Sequence, residues 1–156
     1  MKRSAFESVR CTQKMQAMTL EHVAIWTNHL EQLKDFYVRY FGAMPNEKYT
    51  NSQKQFQSYF LTFDSGARLE LMQRPGIPPS QNDTVTAQHL GIIHLAFGVN
   101  TMQEVDAKAE QLRAAGFRIL SGPRTTGDGY YEFETLDPDN NRLEVTTTAL
   151  TTNTRN

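Results

Sequence analysis

The chain has 156 residues, with 16 Lys and Arg against 17 Asp and Glu for a formal net charge of −1, a length that suits one domain or two small ones sharing a core. Near-neutrality gives no global attraction to nucleic acid or an anionic membrane. One cysteine, Cys11, excludes an internal disulfide framework and a cysteine-rich zinc site, and no run of 18 apolar residues predicts a transmembrane helix.

The opening MKRSAFESVRCTQKMQAM has basic residues but no apolar h-region, so no secretory signal is expected and a cytoplasmic setting is the default. Residues 1–18 read as a loose extension. The first strand is LEHVAIW, 20–26. A helix follows, with Asn28 as N-cap and Glu31 three residues on in a capping-box arrangement. Leu30, Leu33, Phe36 or Tyr37, and Tyr40 give it an apolar stripe, and Gly42 a stop. Strands are expected at 44–50 and 56–63, a hairpin turn at DSG, 64–66, and a further strand at ARLELMQ, 67–73. Residues 74–90, with Pro75, Gly76, Pro78 and Pro79, read as a linker.

The pattern then restarts with the strand GIIHLAFGV, 91–99, and a helix capped by Thr101 and Glu104 and striped by Met102, Val105, Ala109 and Leu112. FRILSG, YYEFETL and NRLEVTT supply three more strands, and 149–156 is a Thr/Asn tail. His94 stands 72 positions after His22 (94 − 22), and Ala96 and Asn100 repeat Ala24 and Asn28 at the same offset. RLEV, 142–145, repeats RLEL, 68–71, at an offset of 74 (142 − 68). The chain is therefore an internal repeat of two βαβββ modules, 19–73 and 91–148, in an α+β fold. One module alone leaves a sheet face uncovered, so the two are expected to pair.

Strand alternation sets which residues share a face. His22 lies with Leu20, Ala24 and Trp26, and His94 with Ile92, Ala96 and Gly98. Glu70 and Glu144 turn away from Leu69 and Leu71, and from Leu143 and Val145. A single strand His is usually structural and a single strand Glu usually solvated. Here His-then-Glu recurs at equivalent repeat positions. A carboxylate held mid-strand without a partner is costly, and two imidazoles with two carboxylates sharing one divalent cation remove that cost. Nitrogen and oxygen donors without thiolate suit Zn, Ni, Co, Fe or Mn. His29 and His89 read as surface residues, and Cys11 is given no role.

EHVAIW, RLELM, IIHLAFGV and DPDNNRLEV together resemble the vicinal oxygen chelate superfamily, also called glyoxalase/bleomycin resistance/dioxygenase proteins, over roughly 19–148. The last segment resembles a DP-D-G-N-x-L-E ending with Asn140 or Asn141 in place of Gly, at a turn that needs tolerance of positive φ. The resemblance implies paired βαβββ modules forming a half-open eight-stranded barrel with helices outside. It is nearest to small bacterial glyoxalase I-like proteins.

By that resemblance His22, Glu70, His94 and Glu144 are metal ligands, with Ni, Co or Zn as the ion. Glu144, or else Glu70, moves a substrate proton through an enediolate-type intermediate on a small substrate with vicinal oxygens. Glyoxalase I carries Arg four residues after the first His and Asn four after the first Glu. This chain has Trp26 and Arg74 there, an altered clamp that argues against a glutathione adduct. Trp26, Arg74 and Tyr131 are the expected substrate-binding residues. Tyr131 follows the Gly-rich loop 127–129, itself read as an ordinary hairpin. The alternatives are a non-catalytic drug-binding protein of the bleomycin resistance kind, a dioxygenase, or a thiol transferase. A homodimer is expected, in which modules of two chains can share the metal sites.

Overall fold

A computed structural model describes residues 17–64, 66–81 and 85–148. The tail 149–156, Cys11 and all but the last two residues of the expected extension lie outside the described residues. The first module runs β1 (His22–Trp26), α1 (Leu30–Phe41), β2 (Met44–Pro45), β3 (Tyr49–Asn51), β4 (Phe56–Thr62) and β5 (Arg68–Gln73). The second runs β6 (His94–Gly98), α2 (Met102–Ala114), β7 (Ile119–Thr125), β8 (Tyr130–Leu136) and β9 (Arg142–Thr148). The expected single strand at 44–50 is two short ones. Pro45 brings no N–H to a ladder, and the chain leaves the sheet between β2 and β3.

The first sheet has the order β1-β5-β4-β2 with β3 also on β4, and the second β6-β9-β8-β7. β1 lies parallel to β5 and β6 parallel to β9. A parallel neighbour needs a crossover, and α1 and α2 supply it. This is the α+β architecture of two βαβββ modules. Among the described residues no ladder joins the two sheets, so β1 and β6 are each a free edge and each sheet stays an open half.

The helices start differently. Thr101 accepts from the Glu104 N–H while the Glu104 carboxylate accepts from the Thr101 N–H, completing the expected capping box on α2. The matching expectation at Asn28 is corrected. The N-cap of α1 is His29, without a side-chain cap, and Thr27 Oγ1 accepts from the His29 N–H. Glu31 is engaged instead by Lys34, Lys48 and the Tyr59 hydroxyl. Lys48 first, then Lys34, hold its carboxyl down at about 2. Gly42 ends α1 at φ 67°.

One apolar core spans both modules. Leu30, Leu33, Phe36 and Tyr37 of α1 are buried with Leu69, Leu71, Val105, Leu112, Phe133, Leu143 and Val145. Between modules, Phe36 meets Phe117 at 4.9 Å and Phe41 meets Phe97 at 4.6 Å. The Tyr37 hydroxyl, fully buried, donates to Asp137 Oδ2 at 2.9 Å. Asp137 also accepts from the Asp139 and Asn141 N–H groups and from Asn141 Nδ2, which closes the turn into β9. Burial raises the Asp137 carboxyl against these bonds, and burial ahead of Asp137's charge raises the Tyr37 hydroxyl. In this turn Asn140 takes φ 65°, the position where the sequence substitutes Asn for Gly. Gly122 in β7 is also obligatory, because at φ 83° a Cβ would stand 2.5 Å from the Glu132 carbonyl oxygen.

Candidate metal centre

The repeat extends to the ladder register. His22 pairs with Arg68 and Ala24 with Glu70, while His94 pairs with Arg142 and Ala96 with Glu144. In both modules the carboxylate therefore springs from the neighbouring strand two residues beyond the partner of the His. Both side chains are on one face and diagonal to each other. Val23, Ile25, Leu95 and Phe97 turn the other way and pack on the core.

The result is two similar pairs. His22 Nε2 lies 4.0 Å from Glu70 Oε2, and His94 Nε2 lies 3.7 Å from Glu144 Oε2. Each carboxylate side chain is only 15% exposed, with His94 partly buried and His22 exposed beside them. Desolvation raises the Glu144 carboxyl, helped by the charge of Glu132 and opposed by His94.

The donors fit a divalent ion two at a time. Ligands held at about 2.0–2.2 Å from one ion stand at most about 4.4 Å apart, and both pairs lie inside that limit. One neutral imidazole and one carboxylate are also the donor types that Zn, Ni or Co accept without thiolate. Among the described residues, however, no three His, Cys, Asp or Glu converge within one chain. The expected quartet is therefore present as two half-sets.

Phe60 stands across the ladder from Glu70 and edge-on to the His22 ring at 5.4 Å. At the matching position of module two, Glu134 stands across from Glu144 and takes Arg142 at 3.1 Å. Beyond it Glu132 pairs with Arg124 at 3.4 Å. Alternation within β4 and β8 already puts Phe60, Glu132 and Glu134 on the site face. Their positions near Glu70 and Glu144 depend on the pairing partner, which no single strand reveals.

Two of the three expected substrate residues come together. The Arg74 guanidinium lies over the Trp26 ring at 5.3 Å, and Trp26 meets Phe56 edge-on at 6.0 Å. Beside them a cavity of about 490 Å³ is lined by Asn28, Phe56, Gln57, Gln73 and Arg74. Tyr131 is corrected. It stands on the opposite face of β8 with Phe133, packs on the core, and donates its hydroxyl to Asp106 of α2 at 2.8 Å. That bond raises its pKa. The odd positions of β8 turn toward the helix, so Tyr130 and Glu132 share the site face instead. The loop before β8 is an ordinary hairpin, closed by the Thr126 N–H donating to the Tyr130 carbonyl at 2.8 Å. A larger cleft of about 1030 Å³ is lined by residues of both modules, among them Leu20, Val23, Arg68, His94 and Ala96.

A sequence profile of the Glyoxalase/Bleomycin resistance protein/Dioxygenase superfamily matches residues 19–145. The chain belongs to this superfamily. The uncharacterized protein YqjT of Bacillus subtilis is 25% identical over 134 residues, 81% of this chain and 96% of that one. Among solved structures, a glyoxalase/bleomycin resistance protein/dioxygenase domain from Frankia superposes with a TM-score of 0.70 at 18% identity, covering 85% of this chain and 99% of that one. The trypanothione-dependent glyoxalase I of Leishmania major gives a TM-score of 0.66 at 20% identity, covering 85% and 88%. At these identities the structural likeness shows the superfamily fold alone. Among the described residues no helix is long and apolar enough to cross a membrane.

Proposed function

We propose that this superfamily member is a metal-dependent, glyoxalase I-like lyase or isomerase, and that its centre is completed between two copies of the chain. The observation that carries this reading is the pair of His/Glu half-sets in the same register, each with two of four ligands. The free edges of β1 and β6 support pairing. Leu20 and Ile92 sit at equivalent places two residues before each His and are 70% and 83% exposed. A two-fold arrangement sets the β1 edge of one copy against the β6 edge of the other, covers both residues, and brings His22 and Glu70 to the partner's second module, twice per dimer.

His22, Glu70, His94 and Glu144 would hold the ion. When bound, a divalent cation supplies Lewis acidity at the oxygens of a small substrate with adjacent oxygenated carbons. The protein's own part is proton transfer. Glu144, its side chain only 15% exposed beside His94, takes a proton from one carbon and returns it to the neighbour. Trp26 and Arg74 offer an aromatic face and a cation to the remainder of the substrate.

The test is elemental analysis of the native protein followed by a hemithioacetal isomerase assay across several metals. About one ion per chain is expected. His22→Ala and His94→Ala should each be inactive, and their equimolar mixture should recover about a quarter of wild-type turnover, because half of the dimers then carry one intact site of two. Metal-free protein that binds an aromatic drug regardless of chelator would instead favour the non-catalytic member of the superfamily.

A further inference from the structure

We propose that Glu21 is a positioning residue that orients His22 as a metal ligand through Nε2, a device the second module lacks. This rests on reading the His/Glu pairs as ligands. An imidazole can present either nitrogen, and the hydrogen bond at one decides what the other offers. Nδ1 of His22 contacts Glu21 Oε2, while Nε2 faces Glu70. A carboxylate accepts only, so the Nδ1 proton is held there and the Nε2 lone pair is left toward Glu70.

Glu21 is itself held. Arg68 Nε donates to its Oε1 at 2.7 Å, and the Arg68 N–H bonds the Glu21 carbonyl at 2.9 Å. The Arg68 guanidinium lies over the Phe60 ring at 4.2 Å, and the same ring meets His22 edge-on. Arg68, Glu21, Phe60 and His22 thus form one closed set of contacts beside the half-site.

The second module breaks this set. Ile93 stands where Glu21 does, one residue before the His. Arg142, the counterpart of Arg68, goes to Glu134. Among the described residues His94 has no hydrogen bond at Nδ1. His22 is therefore held with Nε2 as its free donor atom, whereas no hydrogen bond at Nδ1 sets the tautomer of His94.

Nitrogen-15 long-range NMR of the metal-free full chain, above the imidazole titration range, reports each tautomer. Zinc competition against a chelator reports affinity. His22 should carry its proton on Nδ1 in the wild type and in Glu21→Gln, which keeps an acceptor. In Glu21→Leu it should shift toward Nε2–H, with His94 unchanged. Zinc affinity should fall about 10–100-fold in Glu21→Leu and be largely restored in Glu21→Gln. An unchanged tautomer in Glu21→Leu, or a switched tautomer without loss of affinity, overturns the assignment. A wild-type chain that binds no zinc overturns the ligand reading itself. That failure is told apart by a tautomer that still switches in Glu21→Leu.

Discussion

In the first module Glu70 faces Phe60 across the ladder, and His22 is backed by Glu21. In the second, Glu144 faces Glu134 with Glu132 beyond it, and its His follows Ile93. The strand register that places the two reactive pairs is the same, so register alone sets the geometry. What surrounds the pairs differs, and in the proposed function it divides their labour. An apolar, guanidinium-braced setting surrounds His22, whereas Glu144 sits among carboxylates, and burial raises its carboxyl.

This division is open to direct attack. The largest expected effect is on catalysis. Glu144→Gln should lower kcat by about 10²–10⁴-fold, the range for loss of a general base, and Glu70→Gln by less. Turnover per bound ion, from elemental analysis and initial rates, checks this. Equal losses would make the two halves functionally alike.

The seam between the modules comes next. Tyr37→Phe removes the buried donor to Asp137 and should destabilise the fold by about 1–3 kcal/mol in urea unfolding. The bond involves none of the four proposed ligands, so the metal content of the folded fraction should not change.

The smallest effects lie at the helix starts. Thr101→Ala should lower stability by about 1 kcal/mol through loss of the α2 cap. Glu31→Gln near α1 should lower it by less, because a largely exposed ion pair is worth about 0–1 kcal/mol. A carboxyl held down to about 2 stabilises the fold above its unfolded value of 4.5 and loses that contribution as pH falls from 4.5 toward 2. The difference between wild type and Glu31→Gln should therefore vanish over that window. Thermal melts at stepped pH would show it.

Much of this was legible in the sequence because it is local. Two-residue alternation put His22 and His94 on the face away from Val23 and Leu95, and the offsets near 72 announced the duplicated module. Thr101 and Glu104 satisfied the capping pattern because both partners lie within one turn. Asn28 and Glu31 have the same spacing, but Lys34, Lys48 and Tyr59 engage Glu31, two of them reaching it from outside the helix. Tyr131 misled for a simple reason: adjacent tyrosines on a strand face opposite ways, and only the burial of Phe133 shows which belongs to the site.

By itself, then, the sequence determined a duplicated pattern with one His and one Glu on a shared face in each half, because periodicity is carried by neighbouring residues. Only the tertiary structure decided that each chain holds these four side chains as two pairs, and which carboxylates and rings surround each pair. That outcome depends on how α1 wedges Phe36 and Phe41 against Phe117 and Phe97 and fastens Tyr37 to Asp137. These contacts join residues up to a hundred positions apart, whose packing no local pattern encodes.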